Sequence, residues 1–297
     1  MRIRVRCLTY ARVAQQISCM EWINNLTTTL ECLHPNVSAA HARVGLFDFD
    51  GTISLIRAGW VDVMVPMLVE ILLDLHTGEP EADLHALVNE FVARLTGEQT
   101  IYQMMELARQ VELRGGKPLE PLAYKKMYSD RLMAKIEYRR QELRSGAVSP
   151  EKYLVPGTRA FLESLRERSL KLYCASGTDE VYTVEEAELL DVRKYFDGGV
   201  FGAQDDYRTF SKEILIQRLI SGFEIKGDDL LGFGDGFVEI KNVKDVGGIA
   251  VGLATDEPEC QKVDQWKRQR LVGVGADFIV PNFLAREELL QKLFPTS

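Results

Sequence analysis

Apolar residues along this chain follow two rhythms. From about Arg57 to Ser145 they recur at helical spacing. Trp60, Val63, Met64, Met67, Leu68, Ile71 and Leu75 form one stripe, stopped by Thr77-Gly78-Glu79-Pro80. Leu84, Leu87, Val88, Phe91 and Leu95 form a second, and Ile101, Met104, Met105, Ala108 and Val111 a third ahead of Gly115-Gly116. A further helix is predicted from about Pro121 to Arg144, and the methionines of this block read as core filling. Beyond the breaks at Ser145-Gly146, Ser149-Pro150 and Pro156-Gly157 the rhythm changes to short apolar runs alternating with helical stretches. The runs are Leu170 to Ala175, Gly199 to Gly202, Leu230 to Gly234, Gly248 to Leu253 and Phe278 to Val280, with helices near Glu180 to Leu190 and Lys212 to Ile220. Such alternation predicts a parallel sheet covered on both faces. One more strand-like run, Val44 to Phe47, lies far upstream of its sheet mates, so the helical block is an insertion into an α/β domain.

That upstream run ends in Asp48-Phe49-Asp50-Gly51-Thr52. Alternation along a strand puts Asp48 and Asp50 on one side and Phe49 on the other. The carboxyl ends of parallel strands are where ligands of open α/β sheets bind. Two carboxylates held that close repel unless a cation lies between them or one keeps its proton. They can therefore hold Mg²⁺ through oxygen or divide into nucleophile and general acid; the plainer alternative is a turn whose acids cap the next element.

Three later strand ends carry polar residues. Ser176-Gly177-Thr178-Asp179 opens a helix, as a phosphate site or as an ordinary N-cap. Lys212 begins another helix, where the dipole disfavours it unless an anion is near; a solvated lysine is the default. Asp235 and Glu239, four apart after Gly234, can reach one cation. Gly232-Phe233-Gly234-Asp235-Gly236 is no dinucleotide fingerprint, because Phe237 stands at the third glycine position.

Composition narrows the partner. The 297 residues carry a formal net charge of -8 and a pI near 5.2, unlike a nucleic-acid binder with its basic stripe. No apolar run approaches the roughly 20 residues that cross a bilayer. Cys7, Cys19, Cys32, Cys174 and Cys260 include no C-x-x-C pair and read as reduced thiols of a cytoplasmic protein. His34, His41, His76 and His85 show no zinc-ligand spacing. The arginine-rich first twenty residues lack a secretory apolar stretch, and Met20 is an equally good start.

In order, D-x-D-G-T, strand-S-G-T, a helix-opening lysine and strand-G-D-x-x-x-E resemble the four-motif signature of the haloacid dehalogenase-like (HAD) phosphohydrolases, over roughly Arg43 to Glu239. The resemblance implies an α/β fold, a Rossmann-like parallel sheet core with an inserted all-helical cap. Residues 1–40 would be an N-terminal extension, 41–54 and 152–297 the core, and 55–151 a C1-type cap like that of the phosphoglycolate phosphatase and β-phosphoglucomutase branch. It also implies roles. Asp48 would be the nucleophile that becomes an aspartyl-phosphate, and Asp50 the acid and then the base. Asp48, Asp50, Asp235 and Glu239 would serve Mg²⁺, Asp50 through its carbonyl. Ser176, the Gly177 amide and Lys212 would hold the phosphoryl group, with Thr52 helping to place Asp50.

The expected activity is Mg²⁺-dependent hydrolysis of a small phosphorylated metabolite, a sugar phosphate being one candidate, with no nucleic-acid or membrane partner. A phosphomutase and a non-catalytic phosphometabolite-binding regulator are the alternatives. Ile53-Ser54-Leu55-Ile56-Arg57 departs from the Leu-x-Asp-Ser common in that branch, and Glu239 replaces a frequent Asp. From Arg109 to Arg144 ten basic residues face five acidic ones, which would attract an anion if they line the site and is otherwise a solvated helix face. Arg57 and, less directly, Gln99 are the candidates for substrate contact. Oligomeric state is left open.

Overall fold

The computed structural model describes residues 30–295 apart from 205, 207 and 224; most of the expected N-terminal extension, with Met20, Cys7 and Cys19, lies outside the described residues. Seven strands form one sheet in the order β1-β7-β6-β5-β2-β3-β4: β1 (Glu31–Cys32), β2 (Val44–Phe47), β3 (Lys171–Asp179), β4 (Gly199–Ala203), β5 (Leu230–Gly234), β6 (Ile249–Leu253) and β7 (Phe278–Val280). All neighbours pair in parallel except β1 with β7. The predicted α/β class is therefore the observed one. β2 sits between β5 and β3, so the strand that leads into Asp48 is central.

Period-two alternation makes two cores from one sheet. Phe47, Leu172, Cys174, Leu231, Phe233 and Val251 belong to one buried cluster, whereas Val44, Leu46, Tyr173, Leu230 and Ala250 belong to the other. The first face packs on α5 (Thr158–Glu167) and α10 (Arg286–Leu293) through Phe161, Leu165, Leu289 and Leu293. Phe47 stacks on Phe233 with ring centroids 4.2 Å apart, and Phe161 meets both edge-on. The second face packs on α7 (Lys212–Phe223), α8 (Phe237–Asp245) and α9 (Gln265–Gly273) through Ile216, Leu219, Ile240, Val243 and Leu271. A further helix, α6 (Glu180–Leu189), follows β3 directly.

Four helices stand between β2 and α5 in the chain: α1 (Val61–Leu73), α2 (Glu81–Arg94), α3 (Thr100–Leu113) and α4 (Pro121–Arg144). Their predicted stripes are buried, Met64, Met67 and Leu68 on α1, Leu84, Val88 and Phe91 on α2, and Ile101, Met104 and Val111 on α3. On α4 the stripe is Tyr124, Tyr128, Leu132, Ile136, Arg140 and Leu143, one of which is charged. The chain enters and leaves this segment side by side: Leu55 N donates to Tyr153 O at 2.8 Å and Val155 N to Ile53 O at 3.0 Å.

Two boundaries differ from the sequence reading. β3 continues through Ser176 to Asp179 instead of ending at Ala175, with a register shift on the way to its pairing with Ala203. β1 is not foreseeable from the sequence, because two residues carry no periodicity; antiparallel pairing with β7 and the Arg268–Glu31 ion pair at 2.7 Å hold it. Cys32, Cys174 and Cys260 are free thiols, and no helix among the described residues is long and apolar enough to cross a membrane.

Candidate active site

The polar residues of the strand ends meet at one cavity of about 110 Å³, between the sheet's carboxyl edge and the helical segment. Asp48 follows β2, its N–H still donating to Phe233 O at 2.8 Å, while Phe49 turns into the core. The carbonyl of Phe49 then accepts from Ile53 N at 2.8 Å and Ser54 N at 2.9 Å, which closes a tight turn. Gly51 occupies that turn at φ +77°, and a Cβ there would lie 2.3 Å from Asp235 Oδ2. Glycine is therefore required both for the backbone conformation and for the approach of the first strand end to Asp235.

Each carboxylate has its own partners. Asp48 Oδ1 accepts from Lys212 Nζ at 2.7 Å, and Lys212 also pairs with Glu239. Asp50 Oδ2 accepts from Thr178 Oγ1 at 2.9 Å and Ser176 Oγ at 3.2 Å. Asp50 Oδ1 is buried without a hydrogen bond, 3.9 Å from Arg57 Nε. Asp235 pairs with Lys267 at 2.9 Å, and Lys267 with Glu257 at 2.6 Å. The two acids of the turn are thus not helix caps. Nor do Ser176 and Thr178 cap α6, whose N-cap is Asp179 with no side-chain capping bond; the extension of β3 carries both hydroxyls to Asp50 instead. Lys212 is buried, not a solvated lysine.

Burial pushes Asp48 up to about 7; Lys212 opposes this, and the like charges of Asp235 and Asp50 add to it. A folded pKa above the ordinary 3.8 favours the folded state fully below pH 3.8, and that stabilisation is lost as pH rises through about 7. Stability of the metal-free protein should fall by a few kcal/mol over this window, with a slope of at most roughly 1.4 kcal/mol for each pH unit. Urea unfolding at a series of pH values measures it, and Asp48→Asn should flatten the profile; an equally steep profile in the variant would refute the assignment to Asp48.

Other expected site residues are placed as follows. Gly177 lines the cavity, and a Cβ there would be 2.7 Å from the carbonyl of Glu98, so the loop before α3 lies directly on it. Thr52 is fully buried and off the cavity, its hydroxyl without a hydrogen bond. Gln99 is also off it, its amide donating to Phe210 O at 2.7 Å. Arg57 lines the cavity, but its guanidinium is held by Glu186 through two bonds of 2.8 and 3.0 Å. The basic stretch on α4 is mostly taken up internally: Arg131 pairs with Glu70, Lys126 with Asp130, Arg144 with Glu137 and Glu185. Lys125 does reach the cavity, paired with Asp179. Sequence reasoning assigns no role to Thr178, Glu186, Glu257 or Lys267. Glu257 has a readable signal, since it follows the carboxyl end of β6 as the other acids follow theirs.

Asp48, Asp235 and the Asp50 carbonyl offer hard oxygen donors, the like charge of Asp235 raises the pKa of Asp48, and Glu239 Oε2 beside them is buried without a hydrogen bond, a set that fits Mg²⁺. With Lys212 and Lys267 as their present counter-ions, no three acidic, histidine or cysteine side chains among the described residues are grouped as ligands of one ion.

The site is thus a set of carboxylates and hydroxyls at the strand ends of a parallel sheet, with a buried lysine from the start of α7 beside them. The family model for haloacid dehalogenase-like hydrolases matches residues 43–247, more than half of the chain, and the chain belongs to that family. No curated protein sequence matches it. Three solved structures are alike in fold. A predicted phosphatase from Clostridium acetobutylicum has 20% identity and a TM-score of 0.56, covering 85% of this chain and 99% of its own. A β-phosphoglucomutase from Clostridium difficile has 15% and 0.55, covering 85% and 97%. A predicted phosphoglycolate phosphatase from Haemophilus somnus has 14% and 0.54, covering 84% and 99%.

Proposed function

We propose that this chain is a Mg²⁺-dependent phosphatase that hydrolyses a small phosphorylated metabolite through an aspartyl-phosphate on Asp48. The observation that carries the reading is the pairing at the end of β2: Asp48 bonded to a buried lysine, Asp50 bonded to two hydroxyls, both facing one cavity under the helices. Residues 55–151 act as a cap over a core of 41–54 and 152–297, covering the site against water.

In the first step an Asp48 oxygen bonds to phosphorus as the bond to the substrate oxygen breaks, and that oxygen takes the proton of Asp50. In the second, Asp50 takes a proton from water, whose oxygen bonds to phosphorus and frees the Asp48 carboxylate and inorganic phosphate. Lys212, Ser176 and the Gly177 amide hold the phosphoryl oxygens, and the hydroxyls of Ser176 and Thr178 orient Asp50 between its two tasks. Mg²⁺, held by Asp48, Asp50 and Asp235 with Glu239 beside them, would supply neutralisation of the phosphoryl charge.

Phosphate release from an aryl phosphate and from a panel of sugar phosphates and short phosphorylated acids tests this, with and without Mg²⁺. Release that depends on Mg²⁺ is expected, together with a rise in unfolding stability of about 2.7 kcal/mol at a hundredfold excess over the dissociation constant. A mutase would return the phosphoryl group to substrate, and a binding protein would release none; either result overturns the proposal.

A further inference from the structure

Lys267 belongs to none of the motifs, yet it is the cation that Asp235 meets. It stands in the first turn of α9, whose N-cap Asp264 accepts a bond from the Lys267 N–H at 2.9 Å, so its backbone is fixed. Its ammonium lies 2.9 Å from Asp235 Oδ2 and 2.6 Å from Glu257 Oε1, and the three side chains are only 14 to 18% exposed. Asp235 lines the cavity; Lys267 and Glu257 do not. The lysine therefore grips the carboxylate from behind. On the same flank the Gly51 turn presses on both acids, since a Cβ at Gly51 would be 2.3 Å from Asp235 Oδ2 and 3.0 Å from Glu257 Oε1.

We infer that Lys267, anchored by Glu257, is a positioning residue that holds Asp235 by one oxygen and presents the carboxylate to a divalent cation in the cavity. The inference rests on the reading of Asp235 as a metal ligand. Glu257 matters because it shares the lysine's charge, which leaves Asp235 its own for the cavity side. Partners behind a ligand commonly set its orientation, and their loss costs about 10- to 100-fold in metal affinity. Simple charge counting predicts the opposite, since removing a cation makes the site more negative and should tighten cation binding.

Calorimetric titration of the full chain with Mg²⁺ or Mn²⁺ separates the two. K267M and K267Q should bind about 10- to 100-fold more weakly than wild type, and K267R should recover part of the loss, because a guanidinium can still bridge both acids. K267Q serves should K267M not fold, since its amide is one atom too short to bridge both carboxylates. Binding by either neutral variant as tight as wild type or tighter overturns the inference. D235N tests the underlying reading separately: if it binds the ion as wild type does, or if wild type binds none, the ligand role of Asp235 fails and the role of Lys267 with it.

Discussion

Asp48→Asn is expected to lower phosphate release by more than about 10³-fold while the protein folds at least as well as wild type. The amide is nearly isosteric but cannot form the acyl-phosphate, and nothing else at the cavity replaces it: Asp50 is turned to Ser176 and Thr178, and Asp235 to Lys267. Folding should not suffer, because Asp48 carries a charge that burial and its acidic neighbours disfavour. Asp50→Asn should behave differently. It removes acid–base help, typically about 10²- to 10⁴-fold, without removing the nucleophile. An aryl phosphate leaves without protonation, so its first step should survive and labelled phosphate should accumulate on the acid-quenched protein. A sugar phosphate, whose alkoxide needs the proton, should show neither turnover nor label. Turnover retained in Asp48→Asn, or label in that variant, would place the nucleophile elsewhere.

The strands and the order of chemistry along the chain were legible because both are local. β5 and β6 are runs of buried apolar residues between turn signals, and Asp48 and Asp235 each follow directly on the last residue of their strand. What was not legible is which charge meets which. Arg57 looks like a free cation beside the first motif, but its partner Glu186 is 129 residues away and no spacing connects them. Ser176 and Thr178 have the composition of an N-cap, and only the extension of β3 past Ala175 turns them to Asp50. Lys267 and Glu257, both after β6, reach Asp235 because β6 lies beside β5, which a linear sequence states only once the strand order is known. The ten basic residues of 109–144 read equally as an anion-attracting wall or as a paired, solvated helix face; most of those on α4 find acids on their own or neighbouring helices, because long side chains reach many partners.

Arg57→Met should destabilise the protein by about 3–5 kcal/mol, the usual cost of leaving one member of a buried ion pair alone, or roughly 10 °C in melting temperature. Glu186 is fully buried, and burial raises its pKa against the opposing pull of Arg57. Without the guanidinium the carboxylate can be accommodated only by taking up a proton. Its folded pKa then rises further above the unfolded value, so the penalty grows as pH rises: the variant should approach wild type near pH 5 and fall furthest below it near pH 8. Arg57→Met combined with Glu186→Leu should restore most of the stability, because an apolar pair needs no counter-charge. Urea unfolding of the four proteins of this cycle at two pH values gives the answer. A loss under about 0.5 kcal/mol in Arg57→Met, within the range of ordinary surface substitutions, would mean that the pair is dispensable and that the guanidinium is available to substrate. The larger loss ties the helical segment to the sheet through this pair. Arg57 is two residues past the paired connection at Leu55, Glu186 lies on α6, and Arg140 and Arg144 of α4 reach the adjacent Glu185, so one turn of α6 receives the charges of both ends of the segment. The cation nearest to Asp50 would then be a fixed wall of the cavity, which Gln103, Tyr128, Ser129, Tyr182 and Lys125 also line.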